Sequence, residues 1–147
     1  MEKKVSDLEQ NQPLFSFSPS KAPNLLNPLV LAYLGDAIYD TYIRMYLISR
    51  PHHKPNHLHQ EATKFVSAKA QAQYLKIWLP HLSEEEQDVV RRGRNAKSAS
   101  IPKNADVLDY RHSTAFECLI GYLYYKKQHD RLSQLLKMII DDYENRL

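Results

Sequence analysis

Glycine and cysteine are nearly missing from this chain, and no long apolar run goes uninterrupted. Three glycines stand among 147 residues, while Leu, Ala, Lys, Gln and Glu are plentiful. That balance favours an all-α protein. The single cysteine, Cys118, excludes an internal disulfide framework and fits a reducing compartment. Set in an apolar run, it reads as a small core residue. Residues 25–48 approach the length of a membrane span, but Asp36, Asp40 and Arg44 interrupt them. A core helix is the better reading, with no membrane involved. The opening Met1-Glu2-Lys3-Lys4-Val5-Ser6-Asp7 lacks the apolar stretch of a secretory signal. A net charge of +3 is too mild to identify nucleic acid, so its distribution matters more. What remains is 43% hydrophobic, enough for one core at this length.

Residues 1–22 are polar, carry Pro13 and Pro19 and show no helical period. They read as a flexible arm, leaving residues 23–147 as one domain. Asn27-Pro28 is a helix start, a capping residue followed by proline at the first helical position. The helix runs to about Ser49, is apolar on most of its surface and is expected to be central. A second helix is predicted from about Asn56 to Leu79. Ser83-Glu84-Glu85-Glu86 opens a third with a capping box. A basic loop, a fourth helix from about Asp109 and a last amphipathic helix complete the chain.

Two of the three glycines lie inside helix-patterned apolar segments beside carboxylates: Leu34-Gly35-Asp36-Ala37 and Glu117-Cys118-Leu119-Ile120-Gly121. A mid-helix glycine costs about 1 kcal/mol against alanine. A charge in an apolar segment needs a partner, a metal or water. Both costs recur in both segments, which points to two close helices presenting Asp36 and Glu117 to a hydrated divalent cation. The plainer reading is a pair of satisfied core carboxylates, with Arg111 or a lysine nearby. Asp40 and Arg44, one turn apart, form an ion pair that leaves Asp36 without a local cation.

Five basic residues and no acidic ones lie between Arg91 and Asn104. With Gly93, Pro102 and the Ser/Ala/Asn content, they read as a mobile loop. Such clusters are often merely solvated. Here Arg91, Arg92, Arg94, Asn95, Lys97 and Lys103 precede the helix bearing Glu117, a layout suited to gripping phosphates beside a metal centre. Magnesium uses one or two carboxylates plus waters and phosphate oxygens, so Asp36 and Glu117 suffice for one ion. His52, His53, His57 and His59 match no zinc spacing and read as solvated connector residues. Tyr39, Tyr42 and Tyr46 share a helix face and read as packing rather than base stacking.

Leu31-Ala32-Tyr33-Leu34-Gly35-Asp36-Ala37-Ile38 resembles the signature helix of the ribonuclease III superfamily. Phe116-Glu117-Cys118-Leu119-Ile120-Gly121-Tyr122-Leu123 resembles its second acidic motif. The Mini-ribonuclease III branch is matched by Val66-Ser67-Ala68-Lys69-Ala70-Gln71-Ala72 and Arg92-Gly93-Arg94-Asn95-Ala96-Lys97-Ser98. It is matched too by Pro102-Lys103-Asn104 and Tyr110-Arg111-His112-Ser113-Thr114-Ala115-Phe116-Glu117. The resemblance covers about residues 25 to 140.

It implies a ribonuclease III-type helical bundle acting as a homodimeric, Mg²⁺-dependent endonuclease on double-stranded RNA, with Mn²⁺ able to substitute. Precursor 23S ribosomal RNA is the implied substrate, a ribosomal protein a candidate helper, and a bacterial cytoplasm or a plastid the implied setting. Asp36 and Glu117 take the metal-binding positions, and Arg91 to Lys103 the duplex-gripping loop. Larger family members carry acidic residues seven and four positions before the signature aspartate, where this chain has Leu29 and Ala32. They carry an aspartate three before the second glutamate, where Thr114 stands and its hydroxyl or a bound water would serve. The length leaves no room for their C-terminal RNA-binding domain. Two rivals follow: a catalytically inactive ribonuclease III-like RNA-binding module, motivated by the missing carboxylates, and a helical protein-interaction module.

Overall fold

The computed structural model describes residues 14–97 and 101–147. Residues 1–13 of the expected arm lie outside it. Leu14, Phe15 and Phe17 are exposed, and the first regular structure is a 3₁₀ turn at Pro23–Leu25. Six α-helices follow: α1 Pro28–Ile48, α2 Pro55–Val66, α3 Ala68–Trp78, α4 Glu84–Asn95, α5 Val107–Tyr125 and α6 His129–Asn145. No strand occurs among the described residues, so the all-α expectation holds.

The helix ends follow local chemistry. Asn27 caps α1 through Leu29 N at 2.8 Å, with Pro28 at the first position. Ser83 and Glu86 form the expected reciprocal capping box on α4. Asp106 caps α5 by accepting from Asp109 N at 2.9 Å.

Two boundaries depart from expectation. The helix predicted over 56–79 is broken at Ser67, whose ψ of 152° is extended and whose hydroxyl accepts from Ala70 N. A serine here serves better as a cap than as a helix interior residue. The break frees the last carbonyls of α2, and two side chains take them. Tyr39 Oη donates to Phe65 O at 2.9 Å, and Gln71 Nε2 to Val66 O at 3.2 Å. The second departure is in the basic segment. α4 continues through Arg91, Arg92, Gly93, Arg94 and Asn95, so these residues are helical and not loop. Gly93 is a packing glycine: a β-carbon there would lie 2.9 Å from Ala115 Cα and from Cys118 Cβ. Close packing on α5 outweighs its low helix propensity.

The expected central position of α1 belongs instead to α5. Residues 113–116 and 118–123 of α5 are all buried, against α1, α4 and α3. α1 buries Leu31, Ala32, Gly35, Tyr39, Ile43 and Leu47 but leaves Val30, Tyr33, Met45 and Ile48 exposed. A helix apolar all round needs partners on more than one side, and this chain supplies them on one. Aromatic residues fill the centre. Tyr39 meets Phe116 edge-on at 4.9 Å, Trp78 stacks on Phe116 at 4.4 Å, and Tyr46 packs edge-on to Phe65 and Tyr143.

Candidate active site

The site rests on the α1–α5 crossing, where two backbones touch. A β-carbon on Gly35 would fall 1.8 Å from Glu117 O, and one on Gly121 would fall 2.1 Å from Leu31 O. No side chain fits at either position, so glycine's helix cost sets the approach of the two helices. That approach puts the carboxyl groups of Asp36 and Glu117 within hydrogen-bonding reach of each other. Asp36 faces solvent, and Glu117 is half-buried.

No lysine, arginine or histidine of the described residues pairs with either carboxylate. Arg44 is held by Asp40 at 3.0 Å, as expected. Burial first, and then the neighbouring Asp36 carboxyl, push Glu117 up to about 9. The opposing influence is Gln71, whose Nε2 lies 3.5 Å from Glu117 Oε2. Gln71 is buried, and its Oε1 makes no hydrogen bond to any described residue.

Two carboxylates without a counter-charge, one of them facing solvent, suit a hard, hydrated dication that needs few protein ligands. They do not suit zinc. No group of three or more His, Cys, Asp or Glu side chains among the described residues is arranged to hold a metal. His52 of the connector stacks on His57 of α2 at 3.8 Å between centroids, and His53 Nε2 contacts Ile48 O at 2.8 Å; His57 and His59 are helical residues rather than connector ones.

The basic residues divide into two sets. Arg91 pairs with Asp88, and Arg92 Nη2 donates to Asn24 O at 3.3 Å. Arg94, Asn95, Lys97 and Lys103 are exposed. Asn95 and Lys97 join Arg111, Tyr110, Thr114 and Leu29 around a cavity of about 360 Å³ at the junction of α4 and α5. Thr114 lies one turn before Glu117, and its hydroxyl donates to Tyr110 O at 3.0 Å. The backbone has thus claimed its proton, leaving only acceptor capacity. The cavity wall contains Leu29 and Thr114 but none of Arg91, Arg92, Arg94 and Lys103.

Sequence reasoning missed two members of this neighbourhood. Arg111, expected beside the carboxylates, forms no pair with them and lines the cavity instead. Gln71 carried no individual role, although it shares a helical stripe with buried Tyr74, Leu75 and Trp78. An amide on a core-facing stripe was the available signal.

The ribonuclease III domain family model matches residues 29–128. Mini-ribonuclease 3 of Brevibacillus brevis is 55% identical over 118 residues, covering 80% of this chain and 88% of that protein. The Staphylococcus aureus protein of the same name is 51% identical, covering 79% and 88%. A crystal structure of a Fusobacterium nucleatum protein superposes with a TM-score of 0.75 at 30% identity, covering 84% of this chain and 99% of that one. With this family model spanning most of the chain and such relatives identical at over half of the aligned positions, the protein belongs to the ribonuclease III family, in its Mini-ribonuclease III branch.

Proposed function

We propose that this ribonuclease cleaves double-stranded RNA with Mg²⁺ held by Asp36 and Glu117, leaving a 5′-phosphate and a 3′-hydroxyl. The observation that carries this reading is the meeting of those two carboxylates, 81 positions apart in sequence, with no lysine, arginine or histidine of the described residues paired to either. Bound there, Mg²⁺ (or Mn²⁺ in its place) supplies positive charge to the scissile phosphate and lowers the pKa of an attacking water. Asp36 and Glu117 offer anionic oxygens from two helices locked by glycine contacts. Arg94, Asn95, Lys97 and Arg111 hold the backbone phosphates on either side of the cut.

The outward apolar face of α1, with Val30 and Tyr33 exposed, supports a two-fold homodimer. A two-fold pair matches the duplex, so each subunit cuts one strand. The A-form major groove is closed to side chains, so recognition is by shape and backbone. Precursor 23S ribosomal RNA in a bacterial cytoplasm is the proposed substrate and setting, with a ribosomal protein as helper.

The test is a labelled RNA duplex incubated with and without Mg²⁺. Discrete Mg²⁺-dependent cuts by the natural chain, lost in Asp36→Asn and Glu117→Gln with binding retained, support the reading. Binding without any product gives the site to an inactive RNA-binding module instead.

A further inference from the structure

Among the described residues, Gln71 is the one buried side chain near the carboxylates whose polar atoms the fold only half satisfies. Its residue exposure is 2%, and it lies on α3. Nε2 serves two acceptors, Val66 O at 3.2 Å and Glu117 Oε2 at 3.5 Å. Oε1 is fully enclosed and makes no hydrogen bond. An unsatisfied buried amide oxygen lowers stability, because its desolvation is not compensated. A leucine or methionine would fill the same stripe without that cost. The amide orientation follows from its neighbours: a flipped amide would set its oxygen against Val66 O and the Glu117 carboxyl. Gln71 thus opposes two acceptors, one at the end of α2 and one on α5. It bridges the α2–α3 break to the carboxylate pair.

The geometry points to Gln71 as the positioning residue of Glu117, which fixes one carboxylate oxygen so that the other faces Asp36 and a bound cation. This inference rests on the metal-site reading above. The contact to Glu117 is the longer of the two that Nε2 makes, 3.5 Å against 3.2 Å. The unpaired Oε1 adds a second capacity, to accept a hydrogen bond from an enclosed water.

The experiment measures Mn²⁺ binding by electron paramagnetic resonance titration, the Mg²⁺ dependence of duplex cleavage, and thermal stability. It uses the full chain and its Gln71→Leu, Gln71→Met, Glu117→Gln and Gln71→Leu/Glu117→Gln variants. Removing a group hydrogen-bonded to a metal ligand typically weakens metal affinity about 10–100-fold. Both Gln71 variants are expected to raise the Mn²⁺ dissociation constant and the Mg²⁺ half-saturation by about that factor. Their melting temperature should be unchanged or higher, and RNA KM at saturating Mg²⁺ should be unchanged. The double variant should bind Mn²⁺ no more weakly than Glu117→Gln alone. Wild-type metal binding in both Gln71 variants, with Glu117→Gln deficient, overturns the positioning role only. So does a lowered melting temperature with metal affinity intact. Wild-type Mn²⁺ binding in Glu117→Gln overturns the metal site itself.

Discussion

Glu86 and Glu117 are two glutamates drawn into the same helical bundle, and the fold treats them in opposite ways. Glu86 accepts Arg131 Nε at 2.8 Å and Nη2 at 2.9 Å, and Ser83 N at 2.8 Å. The Arg131 guanidinium first, aided by Ser83, holds its carboxyl below the ordinary range. Glu61, paired with Lys64 at 2.6 Å and accepting from Tyr143, is held down in the same way. Glu117 has another carboxyl and one amide for company, and is pushed up to about 9. Where a carboxylate serves the structure, its counter-charge is a side chain. Where it is set out for chemistry, as we propose for Glu117, the counter-charge comes from outside the fold.

The sharpest break of this contrast is chemical. Asp36→Asn or Glu117→Gln should lower the cleavage rate by about 10³-fold, equivalent to about 4 kcal/mol of transition-state stabilisation. The far-ultraviolet circular dichroism spectrum should not change. Cleavage by either variant at the wild-type rate removes the distinction between the two glutamates. The converse change is Arg131→Leu, which strands Glu86. It should cost about 3 kcal/mol of stability, the lower part of the range for a broken buried pair because Arg131 is partly exposed. Urea unfolding reads that cost, and the cleavage rate per folded molecule should hold. A fall in that rate at full folding would tie Glu86 to catalysis.

A pH series separates the two environments in direction. An ordinary glutamate titrates near 4.5, whereas folded Glu117 keeps its proton up to about 9. Between those values the folded state binds the extra proton, so the stability that Glu117 contributes is lost as pH rises towards 9. Glu86 and Glu61 act below that window, where their contributions are lost as pH falls through their lowered pKa values. Without metal, the natural chain should therefore melt at a lower temperature relative to Glu117→Gln as pH goes from 6 to 9 (a mid-range test choice, roughly inside the window). Added Mg²⁺ should narrow that gap. Melting temperatures of the two chains that run parallel with pH would contradict the assigned environment. The smallest effect concerns the basic residues. Arg94→Ala with Lys97→Ala should weaken duplex binding and reduce the slope of log affinity against log salt by about 1 per lost phosphate contact. An unaltered slope would remove both residues from the RNA path.

Much of the bundle was legible because caps and periodicity are local. Asn27-Pro28 and the Ser83–Glu86 box each act within a turn, and the helices start where these motifs stand. Ser67 and Gly93 were misread for one shared reason. Their roles depend on what packs against them: the Gln71 and Tyr39 donors at the α2–α3 break, and Ala115 with Cys118 beside α4. Residue type alone suggests helix interior for the first position and loop for the second. Arg111 was visible as a charge but not as a wall of the α4–α5 cavity, since no spacing rule links residues 97 and 111.

The sequence by itself determined an all-helical chain, the two glycine–carboxylate segments and their family motifs, because propensity, capping and spacing are properties of neighbouring residues. Only tertiary structure decided which helix lies at the centre, that Asp36 meets Glu117 without a cation, and that Gln71 stands behind Glu117. Those outcomes depend on how closely α1, α3 and α5 approach one another. Packing between distant segments sets that distance, and no local stretch of sequence carries it.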